Sequence, residues 1–308
     1  MTGLPRQSVV VSRLVGTTAP PGKPSLVIRP WQQSGSAVSI REITNTSFNQ
    51  HHGIQSTERF GVNTDPDRDG VTNELTRADV TAVTMFQAAL AVPGRVIPND
   101  PGVERAIAEG EHLFDDVRCT VCHVPALPLN QKGWIYAEPN PFNPSGNLRR
   151  GEARTRELNL NDPALPRPRL SPSLDDPSVV YVAAYTDFKL HDITDPKDGN
   201  AAEPLDLNQP AGSRKFAAGN RTFLTRRLWG AANAPPYFHH GLFTTLRQAV
   251  LAHAGEALDA RRAFERLPAR DQDAVIEFLK SLQVLPPGTT SVVVDEQFRP
   301  KTWPRQSR

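Results

Sequence analysis

The only two cysteines of this 308-residue chain lie three positions apart, and a histidine follows the second, as Cys119-Thr120-Val121-Cys122-His123. This C-x-x-C-H spacing is typical of covalent haem attachment. Two thiols at this spacing can add to the two vinyl groups on one edge of a porphyrin, and the adjacent imidazole then reaches the iron. The sequence therefore predicts one haem c, with His123 as an axial ligand of its iron.

Three other uses of this cysteine pair compete with haem attachment. A thioredoxin-like redox pair would follow a βαβ pattern, and no such pattern precedes Cys119. A zinc site would need further ligands, usually a second cysteine pair, and the chain has only two cysteines. A plain structural disulfide between Cys119 and Cys122 stays open.

The second axial ligand of a haem that only carries electrons is usually histidine or methionine. The chain has only two methionines, Met1 and Met85, but seven histidines besides His123. Among these, His253 lies in line with Leu246 and Val250 on the apolar face of a predicted helix. His253 is therefore the candidate ligand, and a buried histidine bonded to a backbone carbonyl is the alternative.

A second candidate site is the acidic segment from Asp65 to Glu74, which begins as D-x-D-x-D-G. Asp65, Asp67 and Asp69 would supply carboxylate oxygens to a calcium ion, and Val71 would supply a carbonyl. Thr76 stands where a calcium loop has its bidentate glutamate. The alternative is an acidic turn that caps the next helix.

The remaining composition is that of an ordinary globular chain, with 35 basic and 33 acidic residues and a formal charge of +2. This balance gives no electrostatic reason to expect nucleic-acid binding. No apolar run reaches the length of a membrane span. No signal peptide is visible before residue 30, although haem c attachment implies a periplasmic protein.

The elements that must position these residues are predicted to be helices. Apolar residues recur at helical spacing in four segments, which are 77–92, 103–117, 244–254 and 269–282. Between them, residues 125–177 contain ten prolines and show no helical period. We expect a mostly α chain, with a cytochrome c-like haem domain and long proline-rich loops.

Several motifs resemble the C-terminal haem domain of bacterial di-haem cytochrome c peroxidases and the related di-haem, thiol-oxidoreductase-like oxidoreductases. The resemblance covers roughly residues 25–285, and its most specific part lies between 185 and 256. The motifs that carry it are Glu111-His112-Leu113-Phe114, Tyr185-Thr186-Asp187-Phe188-Lys189-Leu190-His191-Asp192, Leu228-Trp229-Gly230 and Pro236-Tyr237-Phe238-His239-His240-Gly241.

The resemblance adds support for His253, which stands where the peroxidases carry a ligating methionine and the oxidoreductases usually carry histidine. It also places His239 beside the haem. Arg226 is expected to pair with a haem propionate, because a guanidinium binds a carboxylate through two parallel hydrogen bonds. The segment Phe48-Asn49-Gln50-His51-His52-Gly53 resembles a family segment near the N-terminal haem.

One departure from these families is large, because they carry two C-x-x-C-H motifs and this chain has one. We therefore expect that the N-terminal haem domain is absent from this chain. The division expected is a partial N-terminal region over 1–100, a haem domain over 101–285 and a C-terminal arm over 286–308. Two functions follow: electron transfer through a bis-histidine haem to a redox partner protein or a second haem domain, or the C-terminal part of a peroxidase-like oxidoreductase.

Overall fold

The structure, a computed structural model, describes residues 28–130, 135–195, 197 and 200–303. The chain divides into two compact units. Within the described residues, unit 1 contains Ala91–Asn130 and the chain from Pro166 onward, and unit 2 contains the chain from residue 28 to Leu90 together with Gln131–Leu165. The first residues, 1–27, lie outside the described part, and the predicted division at residues 100 and 285 stays a prediction.

The mostly α prediction was wrong, because the chain is 32% helix and 15% strand, with several small sheets. Part of the cause lies in the proline-rich region, where three short strands form; two of them pair with each other, and the third pairs with a strand just after the region. Proline fixes φ in the range that extended chain also uses, and at the edge of a ladder its missing N–H is tolerated. Nothing in this architecture confirms a cytochrome c fold.

Eight α-helices lie in the described ranges. They are α1 (Ile40–His52), α2 (Thr57–Phe60), α3 (Arg77–Ala89), α4 (Pro101–Asp116), α5 (Arg214–Ala217), α6 (Leu246–Leu251), α7 (Leu258–Glu265) and α8 (Ala269–Ser281). The helices predicted around α3, α4, α6 and α8 are confirmed. Their starts carry expected signals: Thr76 and Asp79 form a capping box before α3, and Asp100 accepts two backbone N–H bonds before α4.

Nine short strands lie in the same ranges. They are β1 (Gly94–Val96), β2 (Leu127–Asn130), β3 (Ile135–Glu138), β4 (Arg156–Asn159), β5 (Val179–Val182), β6 (Leu190–Asp192), β7 (Thr222–Leu224), β8 (Leu282–Gln283) and β9 (Val293–Val294). In unit 1, β2 pairs with β5, β6 pairs with β7, and β1 lies between β8 and β9. The pairing of β9 with β1 anchors the segment after residue 286 to unit 1.

The core of unit 1 is the packing of α4 against α8, on which the C-x-x-C-H segment depends. Apolar side chains of both helices form a buried cluster with Tyr185 and Phe264. The two backbones approach closely at Gly110, where an added Cβ would lie 1.9 Å from the carbonyl oxygen of Ala274. Only glycine can occupy this position without a shift of one helix.

Unit 2 is built around a buried charge. The guanidinium of Arg41 in α1 is fully buried and pairs with Glu58 at 2.9 Å and with Glu138 at 3.0 Å. It also donates to Thr81 and to the carbonyl of Arg77, so α1, α3 and β3 are tied to one side chain. Within the described ranges, no helix has both the length and the apolar character to cross a membrane.

Candidate haem site

The C-x-x-C-H segment follows directly from α4. Arg118 takes a left-handed conformation (φ 67°), which ends the helical run, and Cys119–Val121 then form one turn of 3-10 helix. Both cysteines are free thiols in the structure, and both are partly buried. Burial raises the pKa of the Cys119 thiol to about 12. Because neither sulfur is held in a disulfide in the structure, both are available for thioether links.

His123 is oriented by a backbone carbonyl. Its Nδ1 lies 2.9 Å from the carbonyl oxygen of Tyr185. Because a carbonyl can only accept, Nδ1 carries the proton and Nε2 keeps its lone pair for a metal. Burial lowers the pKa of His123 to about 4, which keeps the imidazole in its neutral, ligating form.

His253 has the same arrangement two residues beyond the end of α6. Its Nδ1 donates to the carbonyl of Ala249 at 2.8 Å, and burial lowers its pKa. The hydrogen bond to a backbone carbonyl that is expected of an ordinary buried histidine is thus present. It uses Nδ1 and leaves the Nε2 lone pair as a ligand atom, so the two interpretations of His253 do not exclude each other.

The two imidazoles lie close together, with ring centroids 6.5 Å apart and ring planes at 64° to one another. A metal–imidazole bond is about 2 Å long and a ring centroid lies about 1 Å from its nitrogen, so two imidazoles on opposite sides of one ion have centroids about 6 Å apart. The observed separation matches this value. The donor set therefore fits a haem iron between His123 and His253.

The walls around this pair are aromatic. Phe114 lies 6.1 Å from the ring of His123 and 5.2 Å from that of Phe278, and Tyr185 lies 5.6 Å from Phe278. On the other side, Phe238 lies 5.2 Å from the ring of His253. Such surroundings would suit a porphyrin, whose faces are apolar, and they would limit access of water to a metal bound between the two imidazoles.

Tyr185 carries backbone strain at the point where it contacts His123. Its φ of 51° lies in the left-handed region, which costs a bulky residue on the order of 1–2 kcal/mol. This conformation is kept by a packed side chain, only 5% exposed, whose hydroxyl donates to Glu111 at 3.3 Å. Strain of this kind is characteristic of functional positions.

A charged group lies beside Cys122. The Nε2 of His191 is 2.9 Å from Asp187, and its Nδ1 is 2.8 Å from Glu256. The hydrogen bond to Asp187 is the main reason that the pKa of His191 rises to about 11, with Cys122 and Glu256 adding to it against the effect of burial. His191 is therefore an imidazolium at neutral pH.

The other two residues predicted at the haem, His239 and Arg226, also belong to unit 1. His239 stacks on Phe223, with centroids 4.0 Å apart, and its Nε2 donates to the carbonyl of Ala201. Arg226 is exposed just after β7. Haem contacts of His239 and Arg226 stay predictions.

The acidic loop of unit 2 brings its three aspartates together. One carboxylate oxygen from each of Asp65, Asp67 and Asp69 lies within 4.8 Å of the others. Asp65 accepts the backbone N–H groups of Asp69 and Gly70, which closes the loop. Glu74, in contrast, accepts from the backbone of Gln55 at 2.7 Å.

Sequence reasoning missed three contributors to the haem site: the carbonyl of Tyr185, Asp187 as a partner of His191, and Glu256. Tyr185 and Asp187 stand in a motif that the family resemblance already singled out. The available signal was the Asp-x-x-x-His spacing of 187 and 191. No sequence pattern pointed to Glu256, because it is 65 positions from His191 in the sequence and the two residues meet only in the folded chain.

The comparison with protein families supports the family expected from the sequence. Residues 178–282 match the family model described as "Di-haem oxidoreductase, putative peroxidase". This segment contains Tyr185, His191, His239 and His253. A search of curated proteins finds no match to the chain. Over residues 178–282 the chain is thus a match to the di-haem oxidoreductase family, in agreement with the C-terminal domain that the resemblance indicated.

Proposed function

We propose that the chain carries one haem, bonded through Cys119 and Cys122, and transfers electrons through an iron ligated by His123 and His253. The observation that carries this proposal is the 6.5 Å separation of two imidazoles that are each held at Nδ1 by a carbonyl. When bound, haem supplies a one-electron iron couple. The role of the chain is to hold both imidazoles in their neutral form and to exclude water.

Ligation by both His123 and His253 would favour electron transfer over catalysis, because it would leave no coordination position of the iron for a substrate. Two imidazoles also lower the reduction potential relative to histidine–methionine ligation. The electrons would pass to or from a redox partner protein or a second haem domain. Because haem is joined to cysteines outside the bacterial cytoplasm, we place the protein in the periplasm.

A peroxidase-like oxidoreductase is the second candidate, and the family description favours it. In that case this chain would be the C-terminal part of a di-haem assembly, and peroxide would bind at the other haem. Peroxide turnover by an assembly with two irons would distinguish this candidate from simple electron transfer.

We also propose calcium as a structural ion of unit 2, bound by Asp65, Asp67 and Asp69 with the carbonyl of Val71. The support is the convergence of three carboxylates on a closed loop. Oxygen donors of this kind suit a hard divalent cation. The ion would offset the mutual repulsion of the three carboxylates, which contributes, after desolvation, to the raised pKa of Asp67.

The test of the haem proposal uses protein made in a host that matures c-type cytochromes. We expect the denatured chain to retain one haem through acid extraction, and the ferric protein to be low-spin. His253→Ala should convert the spectrum to high-spin with the haem still attached, whereas His112→Ala, on the exposed side of α4, should change nothing. A colourless protein with two titratable thiols contradicts haem attachment, and an unchanged His253→Ala spectrum contradicts the ligand assignment.

A further inference from the structure

One loop of unit 1 forms backbone hydrogen bonds with the residues that directly follow the two proposed iron ligands. At its start, Thr186 N donates to the carbonyl of Val124 at 3.1 Å, directly after His123. At its end, the carbonyl of Ile193 accepts from Ala254 N at 3.3 Å, directly after His253. The loop from Tyr185 to Ile193 therefore spans the two segments that carry the imidazoles.

The second of these junctions is tightly packed. Gly255 has a φ of 54°, and a Cβ added there would lie 2.2 Å from the carbonyl oxygen of Asp192. The glycine allows the turn after His253 to lie against β6. In this position Glu256 accepts from the backbone N of Asp192 at 3.0 Å and also contacts His191.

The side chain of His191 connects the first part of this loop to the segment that follows His253. Each of its ring nitrogens lies within 2.9 Å of a carboxylate oxygen, one from Asp187 and one from Glu256. An ionised carboxylate only accepts, so both nitrogens donate and the ring carries a positive charge. The Asp187 side chain is almost fully buried, whereas that of Glu256 is 56% exposed.

We propose that the bridge Asp187–His191–Glu256 positions His253 against His123 and that its charges adjust the potential of the iron between them. His191 is thus a positioning residue, which acts through Glu256 on the segment after His253. Hydrogen-bonded partners behind metal ligands commonly change metal affinity by about 10- to 100-fold. This inference rests on the proposed haem ligation and goes beyond it, because it assigns a role to residues that do not touch iron.

The test compares His191→Gln and Glu256→Gln with His112→Gln in the haem-loaded protein. In both bridge variants we expect the fraction with His253 detached to rise about tenfold or more, measured as ferric high-spin signal and as rapid CO binding to the ferrous form. The potential should move in opposite directions, down when the positive charge of His191 is lost and up when the negative charge of Glu256 is lost. His112→Gln should match the wild type.

The outcomes separate the bridge from the ligation on which it rests. A wild-type protein without haem, or high-spin in its ferric form, overturns both proposals. A low-spin wild type with unchanged bridge variants overturns the bridge alone. A general loss of packing would lower the melting temperature without opposite shifts in potential, and this result also contradicts the bridge. If His191→Gln does not fold, Glu256→Gln decides, because its side chain is largely exposed.

Discussion

The carbonyl oxygen of Tyr185 lies 2.9 Å from Nδ1 of His123, and the residue that offers it has a backbone φ of 51°. This hydrogen bond depends on a left-handed backbone conformation, which residues with a Cβ atom rarely adopt. A different backbone conformation at residue 185 would turn the carbonyl away from His123. A carbonyl at Nδ1 makes the imidazole a stronger electron donor to iron. If His123 ligates iron as we propose, the strained residue would influence how strongly it binds the metal.

Two substitutions at Tyr185 separate this backbone effect from the packing of the ring. Tyr185→Gly and Tyr185→Val both remove the ring, but glycine adopts a positive φ freely and a β-branched residue does not. We expect the valine variant to lose the Nδ1 hydrogen bond and to show a higher reduction potential than the glycine variant. Equal potentials in a redox titration would show that the backbone of residue 185 does not hold His123.

Helices α3, α4 and α8 could be predicted because their signals are local. The capping residues Thr76 and Asp100 lie next to α3 and α4 in sequence, and the apolar period of α8 matches its buried face. The C-x-x-C-H motif is local as well, so its residues were found without a fold. For His253, the apolar face and the family resemblance both contributed.

What the sequence could not indicate depends on distant partners. Helix α1 was missed because its buried face consists of Arg41, Thr44 and Asn45, which leave no apolar period to detect. Likewise His191 and Glu256 are 65 positions apart, and only the docking of Gly255 on β6 brings them together. Strands of three or four residues among prolines carry too few side chains to show an alternating pattern.

The buried cation of unit 2 predicts a large loss of stability on its removal. Arg41→Met leaves Glu58 and Glu138 without their shared partner in a buried site, where breaking an ion pair typically costs about 3–5 kcal/mol. We expect a decrease of this size in the free energy of unfolding, measured by urea titration. Arg149→Met removes an exposed pair with Glu152 and should cost less than about 1 kcal/mol. Similar losses in the two variants would contradict a dominant role of Arg41.

The close approach of α4 and α8 predicts that Gly110→Ala destabilises unit 1. Alanine is the better helix former by about 1 kcal/mol. Its Cβ, however, would lie 1.9 Å from the backbone oxygen of Ala274, and overpacking costs about 1–3 kcal/mol or more. We expect a net loss of about 1–2 kcal/mol in denaturant unfolding. In Gly102→Ala, the nearest atom belongs to a side chain at 3.0 Å, so a smaller change is expected. A stabilised Gly110→Ala variant would show that the helices are farther apart.

The aspartate cluster of unit 2 predicts stabilisation by calcium. If the dissociation constant is about 10⁻⁴ M, as in weak extracellular calcium sites, 10 mM calcium should add about 2.7 kcal/mol to the free energy of unfolding. Asp67→Asn should abolish most of this gain, and Glu157→Gln, an exposed carboxylate change in β4, should not. Calorimetry with calcium and with magnesium at equal ionic strength measures the effect. Equal responses in all three proteins would indicate a general salt effect and no site.

Asp295 predicts an acid-sensitive contribution to the stability of unit 1. Partial burial alone would raise its pKa, but hydrogen bonds from the backbone N and Nε of Arg299, the backbone N of Gln297 and the amide of Asn99 lower it to about 2. A carboxylate whose pKa is lower in the folded state stabilises the fold above its unfolded pKa of about 3.9. That stabilisation is lost as the pH falls from about 4 to about 2. Asp295→Asn cannot ionise, so its free energy of unfolding should depend less steeply on pH in this interval, as measured by urea titration at several pH values. Asp175→Asn, an exposed change, should keep the wild-type slope. A wild-type slope in Asp295→Asn would mean that other carboxylates carry the acid sensitivity.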